Sequence, residues 1–304
     1  MKFKIRHIVS ASLLMLSTHA FATAYKLPGS DDSVIGTIQT GYVRSGDAAA
    51  EIAKAYDIGF NEIQNANPQI DMNHRFASGK EVIIPTQHLL PNAPRKGIVI
   101  NLPEMRMYYY AGNEVLTYPI GIGKPGKTIP VASSKVIYKK TNPFWYPPQD
   151  IREFNLEQGV ILPRVLPPGP DNPLGTYAIY MSIPTYLIHS TIFPESVGRR
   201  ASFGCIRMYE NDIESFFPTV NKGIPIEILN SPVKVGWHDK SLFMEAHEPL
   251  EEYKSDVNAT LPGMVHQIVE RTGKEPVLVD WQAVSFIAKA RDGIPHKIGV
   301  PLKS

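Results

Sequence analysis

The chain is 304 residues long and carries 31 Lys+Arg against 29 Asp+Glu, so it lacks the charge excess that nucleic acid or an anionic membrane surface would select. Its 27 prolines argue for loops and short strands rather than long helices, and its single cysteine excludes an intramolecular disulfide. The length leaves room for a catalytic domain and one or two small modules.

The N-terminus opens MKFKIRH, continues VSASLLMLSTHAF and reaches Ala20-Phe21-Ala22. A basic start, a short apolar stretch and an A-x-A site predict an export leader, residues 1–22, with cleavage after Ala22; the apolar stretch is too short to span a bilayer. An uncleaved N-terminal anchor is the alternative. Loss of Lys2, Lys4 and Arg6 leaves 28 basic against 29 acidic residues. Export to an oxidising compartment also makes a lone thiol a liability, so Cys205 needs either burial as an inert small hydrophobe or a chemical role.

Residues 40–85 predict a β-α-α-β unit: TGYVRSGD as a strand and turn, AAAEIAKAY as a helix opened by Asp47, NEIQNANP as a helix stopped by Pro68, and KEVIIP as the closing strand. The opening YVRSGD, the IAKAY helix followed by IGFNEIQNANP, and the final GKEVIIP resemble a LysM domain. That resemblance implies binding of N-acetylglucosamine-containing glycan, here peptidoglycan; a small structural or dimerising domain is the other reading.

TQHLLPNAPRK, residues 86–96, reads as a linker, and GIVINLPEMRMYYYAG with GNEVLTYPIGI as a hairpin of alternating apolar and polar positions. Gly121-Ile-Gly-Lys-Pro-Gly126-Lys127-Thr128 satisfies two phosphate-loop patterns, but both need a helix to open directly after the loop, whereas Ile129-Pro130-Val131 and the strand-like KVIYKK follow here. Pro125 also removes an N–H that a phosphate nest would use. The glycines therefore predict a tight turn between strands rather than a nucleotide site. TNPFWYPPQDIREFNLEQGVILPRVLPPGPDNPLG shows almost no periodicity and reads as a long loop shaping a cleft, with Trp145, Tyr146 and Arg164 as candidate lining residues.

TYAIYMSIPTYLIHST predicts two strands, with His189 at the end of the second, a firm platform for a side chain. ENDIESFFPTV has helical spacing, GIPIEILNSPVKVGW returns to strand, and HDKS turns into LFMEAHEPL. From Leu261 the pattern becomes helical: GMVHQIVERTG ending at Gly273, and DWQAVSFIAKARDG running from an Asp280 cap to Gly293, which predicts a helical C-terminal extension.

Nine histidines are present without H-E-x-x-H or C-x-x-C spacing, which gives no metal signal, and no G-x-S-x-G elbow occurs. What remains is IHSTIFPESVGRRASFGCIRM, which sets His189 sixteen residues before Cys205. A thiol with a pKa of about 8.5 is only a few per cent thiolate at neutral pH, and a nearby imidazole corrects that. Ser202, Gly204 and Arg207 around the cysteine suit a polar turn better than a core.

The run from His189 through SVGRRASFGCIRM resembles the signature of YkuD-type L,D-transpeptidases, a histidine followed some fifteen residues later by Ser/Thr-His-Gly-Cys. The likeness extends through YPIGIGKPGKTIP, NPFWYPPQDIR and LPPGPDNPLGTYAIY to VKVGWHDKSLFMEAH, covering roughly residues 97–248. It implies an α+β, mainly β, YkuD-like catalytic domain at 97–230, beside the βααβ LysM unit and a hairpin and helical subdomain at 231–304. It further implies Cys205 as nucleophile, His189 as base and Ser190 as the residue orienting the imidazole through its carbonyl. Backbone N–H groups near Gly204 and Cys205 would form an oxyanion site, and Arg207 would meet a stem-peptide carboxylate. Ser202, Arg200 and Tyr146 complete the expected substrate contacts.

The implied reaction is attack on a tetrapeptide stem between its third and fourth residues, release of D-alanine and transfer to an amine, without metal or organic cofactor. The acceptor is a stem diaminopimelate, giving a 3→3 cross-link, or the lysine of an outer-membrane lipoprotein. Carbapenems would acylate Cys205, and the setting would be the periplasm. One position departs from the family: Phe203 stands where the signature has histidine. The three readings that follow are an active transpeptidase, a hydrolase of the same bonds, and a wall-binding protein without catalysis.

Overall fold

The computed structural model describes residues 23–76 and 79–302. The export leader expected at 1–22 lies outside them. The main body is a nine-stranded sheet in the order Thr23–Lys26, Glu114–Pro119, Arg106–Ala111, Gly97–Asn101, Pro225–Leu229, Ala132–Thr141, Tyr177–Met181, Leu187–His189, Ile206–Arg207. Neighbours run antiparallel except at Pro225–Leu229 with Gly97–Asn101 and at Leu187–His189 with Ile206–Arg207.

The sheet curls on itself. Gly121, just beyond Glu114–Pro119, exchanges both backbone hydrogen bonds with Arg207 on the last strand (2.8 and 2.9 Å). The inside of the curl holds Ile98, Ile100, Met107, Tyr118, Ile179, Ile188, Ile206 and Phe216 among others, all buried. Its outer face is covered too: Val99, Tyr108, Tyr110 and Val115 pack with Ile35 and Leu90. That double coverage corrects the expected alternation in GIVINLPEMRMYYYAG, because a strand buried on both sides carries a continuous apolar run.

Residues 39–84 form a β-α-α-β unit with its own core. Gln39–Tyr42 pairs antiparallel with Glu81–Ile84, and Ala49–Ala55 and Phe60–Ala66 lie between, around Val43, Ala53, Ile58, Ile63 and Ile84. Asn67 explains the NANP segment: its buried amide donates to the Ile63 and Ile83 carbonyls (2.8 Å each) and accepts from the Ile83 N–H (2.7 Å), tying helix end to closing strand. The expected cap is displaced by one residue. Ala48 precedes the first helix, with Glu51 reaching back to its N–H (3.0 Å), while Asp47 closes the preceding turn through the Arg44 N–H (2.7 Å).

This unit docks on the sheet through charge. Arg106 is 1% exposed and holds Glu62 with two contacts of 2.9 Å, together with Thr117 Oγ1 and the Asp57 carbonyl. Gly198 makes the close approach possible: its φ is +75°, and a Cβ there would lie 2.2 Å from the Phe60 nitrogen. Phe60 and Asn61 N–H groups donate to the Val197 and Gly198 carbonyls across the same seam.

Two sequence expectations need further correction. The segment 141–175 contains the helix Gln149–Glu157, missed because none of its residues is buried and so no periodic apolar face exists. GIPIEILNSPVKVGW is two strands in two sheets, since the second, Val233–His238, pairs with Ser241–Ala246. The C-terminal part is accordingly not merely helical. A four-stranded antiparallel sheet, completed by His296–Pro301 and Val277–Val279, carries the helices Leu261–Thr272 and Trp281–Ala290 through Met264, Ile268, Val284 and Ile287. Asp280 caps the second helix as expected, accepting from the Gln282 and Ala283 N–H groups (3.0 Å each), but Arg291 at φ +48° ends it, ahead of Gly293.

Asp57 and Asp212 meet, buried, at the seam between the unit and the sheet, with Arg106, Glu62, Lys54 and Tyr209 around them. Burial raises both carboxyls, Asp57 to about 6 against the lowering pull of Arg106, and Asp212 well above the usual range with the Asp57 charge as the second cause. An acid whose folded pKa is raised keeps its proton longer in the fold than in the unfolded chain, so stability falls as pH rises from about 4 through 6 and beyond. Asp212→Asn should flatten that slope and raise stability at pH 7–8, read by denaturant midpoints at pH 5 and 8; each proton involved is worth about 1.4 kcal/mol per pH unit.

Candidate active site

Strand alternation assembles the site. Leu187–His189 and Ile206–Arg207 run side by side with Ile188 opposite Ile206 and His189 opposite Arg207. Ile188 and Ile206 are fully buried inside the curl, so His189, Arg207 and the flanking Leu187 and Cys205 belong to the other face. Register carries that face onward: Leu187 is opposite Tyr180, and Tyr180 opposite Tyr138. The two tyrosine rings stack with centroids 4.0 Å apart and planes 16° apart, and the hydroxyl of Tyr180 is raised to about 12 by burial first and Tyr138 second. Neither tyrosine was singled out from the sequence; period-two parity across paired strands was the only signal, and it needs the register.

The turn before the nucleophile candidate is locked by Ser202. Its buried hydroxyl donates to the Cys205 carbonyl (2.6 Å) and accepts the Gly204 N–H (3.0 Å). Gly204 sits at φ +118°, and a Cβ there would lie 2.6 Å from the Tyr186 ring, so only glycine fits. At 2% exposed, Ser202, expected as a substrate contact, spends its hydroxyl inside this turn.

His189, 3% exposed, hydrogen-bonds through Nδ1 to the Ser190 carbonyl. A carbonyl only accepts, so Nδ1 carries the proton and Nε2 presents a lone pair. Ser190 is itself fixed, with Oγ donating to the Leu174 carbonyl and accepting the Tyr177 N–H (3.0 Å each). Burial, then the nearby Arg207 charge, holds the imidazole down to about 4. Cys205 is partly open to solvent but crowded by protein, and burial pushes its thiol up against the lowering pull of the Leu187 N–H and Arg207. Its sulfur donates to the Thr185 carbonyl at 3.9 Å.

Both groups are therefore uncharged at neutral pH in the ligand-free protein. Arg207 is half-buried, has no carboxylate within salt-bridge distance among the described residues, and leaves its Nε without a partner. A thiol, a neutral imidazole with its lone pair free and a guanidinium that feels Glu195 only at a distance share one face of the sheet; such a set can perform acyl transfer through sulfur on an anionic ligand.

Other expected contacts lie elsewhere. Arg200 is engaged by Glu252 (2.6 Å), Thr128 Oγ1 (2.7 Å) and the Gly123 carbonyl (3.1 Å), which ties the glycine-rich loop to the C-terminal part. Tyr146, by contrast, is 69% exposed and stays close enough to Tyr180 to help raise its hydroxyl. No helix follows the loop 121–128; the next element is the strand Ala132–Thr141. His88, Glu104 and Glu245 converge as metal ligands would, but the Lys234 ammonium already lies 2.7 and 2.6 Å from the two carboxylates.

Residues 95–228 match the YkuD family, the L,D-transpeptidase catalytic domain. The chain is 36% identical to the probable L,D-transpeptidase YcfS of Escherichia coli K12, over 94% of this chain and 91% of that protein. It is 35% identical to the probable L,D-transpeptidase ErfK/SrfK of the same strain, over 97% of each. Among solved structures, the catalytic domain of the E. faecium L,D-transpeptidase is similar along its full length to 46% of this chain, at 23% identity and a TM-score of 0.36. The chain belongs to the L,D-transpeptidase family.

Arg207 is the second cause of the depressed imidazole, so Arg207→Gln should move the His189 titration upward from about 4 toward the ordinary value of about 6.5, followed by imidazole NMR. Gly204→Ala, forced against Tyr186 and into a left-handed backbone, should cut Cys205 alkylation by iodoacetamide or raise it severalfold as the turn rearranges; an unchanged rate would show that the turn does not set the thiol.

Proposed function

We propose that the protein is a peptidoglycan L,D-transpeptidase with Cys205 as nucleophile, and that the observation carrying this is the shared face of Cys205, His189 and Arg207, with Nδ1 of His189 committed to Ser190. The donor is a tetrapeptide stem, whose carboxylate pairs with Arg207. That pairing neutralises the charge which depresses His189, so substrate binding itself makes Nε2 a better base.

The thiol proton passes to Nε2 and the sulfur attacks the carbonyl between the third and fourth residues. The C–N bond breaks, the imidazolium gives its proton to the departing amine, and D-alanine leaves. His189 then takes a proton from the acceptor amine as it attacks the thioester, regenerating the thiol. The Gly204 N–H is occupied by Ser202, which leaves the Cys205 N–H as the backbone donor of that pair for the oxyanion. No metal or organic cofactor enters these steps. Residues 40–85 supply glycan binding, and the leader places the enzyme in the periplasm, where either a diaminopimelate amine or a lipoprotein lysine serves as acceptor.

Disaccharide-tetrapeptide incubated with residues 23–304 should release D-alanine and form a transient thioester mass on Cys205. Cys205→Ala should lower turnover by at least about a thousandfold while leaving glycan binding intact. Tripeptide as the sole product would show hydrolysis, and no D-alanine with no adduct would leave a wall-binding protein.

A further inference from the structure

The residue that departs from the family, Phe203, is not idle. Its ring meets Phe154 of the helix Gln149–Glu157 edge to face, with centroids 5.3 Å apart at 68°. The Lys124 ammonium lies 3.8 Å from the Phe203 ring centroid and 3.9 Å from that of Phe154, one cation on two π faces. Beside it, Lys127 from the same glycine-rich loop reaches Asp150 at 2.6 Å.

These contacts matter because the helix has little else. It buries no residue, and Phe154, Leu156, Val160 and Ile161 remain exposed. The segment is closed at its base, where Trp145 and Leu166 exchange backbone hydrogen bonds of 2.9 and 2.8 Å. Between base and tip it passes from Tyr146, beside Tyr180, to Phe203, two residues from Cys205. The segment thus flanks the face that carries the thiol, with Pro147 buried near its base and its helix held by the aromatic and cation contacts of Phe154 and by the Lys127–Asp150 ion pair.

We propose that Phe203 is a positioning residue: with Lys124 it clamps Phe154 and so holds segment 145–166 closed beside Cys205, shaping the donor groove. An imidazole of ordinary polarity in its place would offer Lys124 a weaker face and, when protonated, a repulsive one. The role rests on the reading of Cys205 as the reacting centre, but the clamp can be measured without turnover.

Trypsin reaches the exposed Arg152 only when the helix opens locally. Two exposed cation–π contacts correspond to about a tenfold shift in that opening. Phe203→Ala and, separately, Lys124→Met should therefore speed cleavage after Arg152 about tenfold, identified by mass spectrometry, while Phe203→Tyr should not. In the D-alanine release assay Phe203→Ala should raise KM for the tetrapeptide donor severalfold with a smaller change in kcat, and Phe203→Tyr should restore it. Unchanged cleavage in both variants, or faster cleavage with an unchanged KM, would overturn the proposal. Wild-type protein that releases no D-alanine yet shows the cleavage pattern would overturn the positioning role while identifying the nucleophile reading as the part that failed.

Discussion

Two backbone hydrogen bonds between Gly121 and Arg207 govern the geometry of this protein. They bring the start of the sheet against its last strand, which turns an open sheet into a curl with a continuous apolar interior. Because Ile206 must point into that interior, Cys205 and Arg207 must point out, and the parallel partner strand sets His189 beside them. The loop that follows Gly121 is held against the same edge, with Ile122–Gly123 pairing to Arg200–Ser202 and the Lys127 carbonyl closing on Gly204. The thiol's surroundings are thus a consequence of how the sheet closes.

The site's resting electrostatics follow from burial and from the Arg207 charge, which has no directly bonded carboxylate among the described residues. Desolvation favours the neutral forms of Cys205 and His189, and Arg207 opposes a second positive charge on the imidazole. Burial thus keeps the solitary thiol protonated, and a thiol is a poorer nucleophile than its thiolate.

The β-α-α-β unit is joined to the sheet by groups that are costly to leave alone. Breaking a buried ion pair such as Arg106–Glu62 from one side typically costs about 3–5 kcal/mol, so the seam favours one docked arrangement. Its hydrogen bonds to Val197 and Gly198 reach the excursion between His189 and Cys205. The module and the site therefore share one piece of backbone, and Asp57 with Asp212 adds a proton to that connection.

Much of this was legible in the chain. The helices of residues 39–84 and the Asp280-capped helix were readable because each buries one face, and the run around Cys205 carried the resemblance on residue identity alone. The helix Gln149–Glu157 was not readable, since a helix that buries nothing has no period to detect, and the division of PIEIL from VKVGWH was hidden because both are apolar strands whatever sheet they join. The sequence by itself determined which groups are available: one thiol, a histidine sixteen residues upstream, a glycine where no side chain fits and a phenylalanine two residues before the thiol. Only the tertiary structure decided that Ser202 and Arg200 are spent on holding loops, that Tyr138 and Tyr180 join the thiol's face, and that Phe203 meets Lys124 and Phe154. Those outcomes depend on register and sheet closure between segments tens of residues apart, and local sequence carries no term for either.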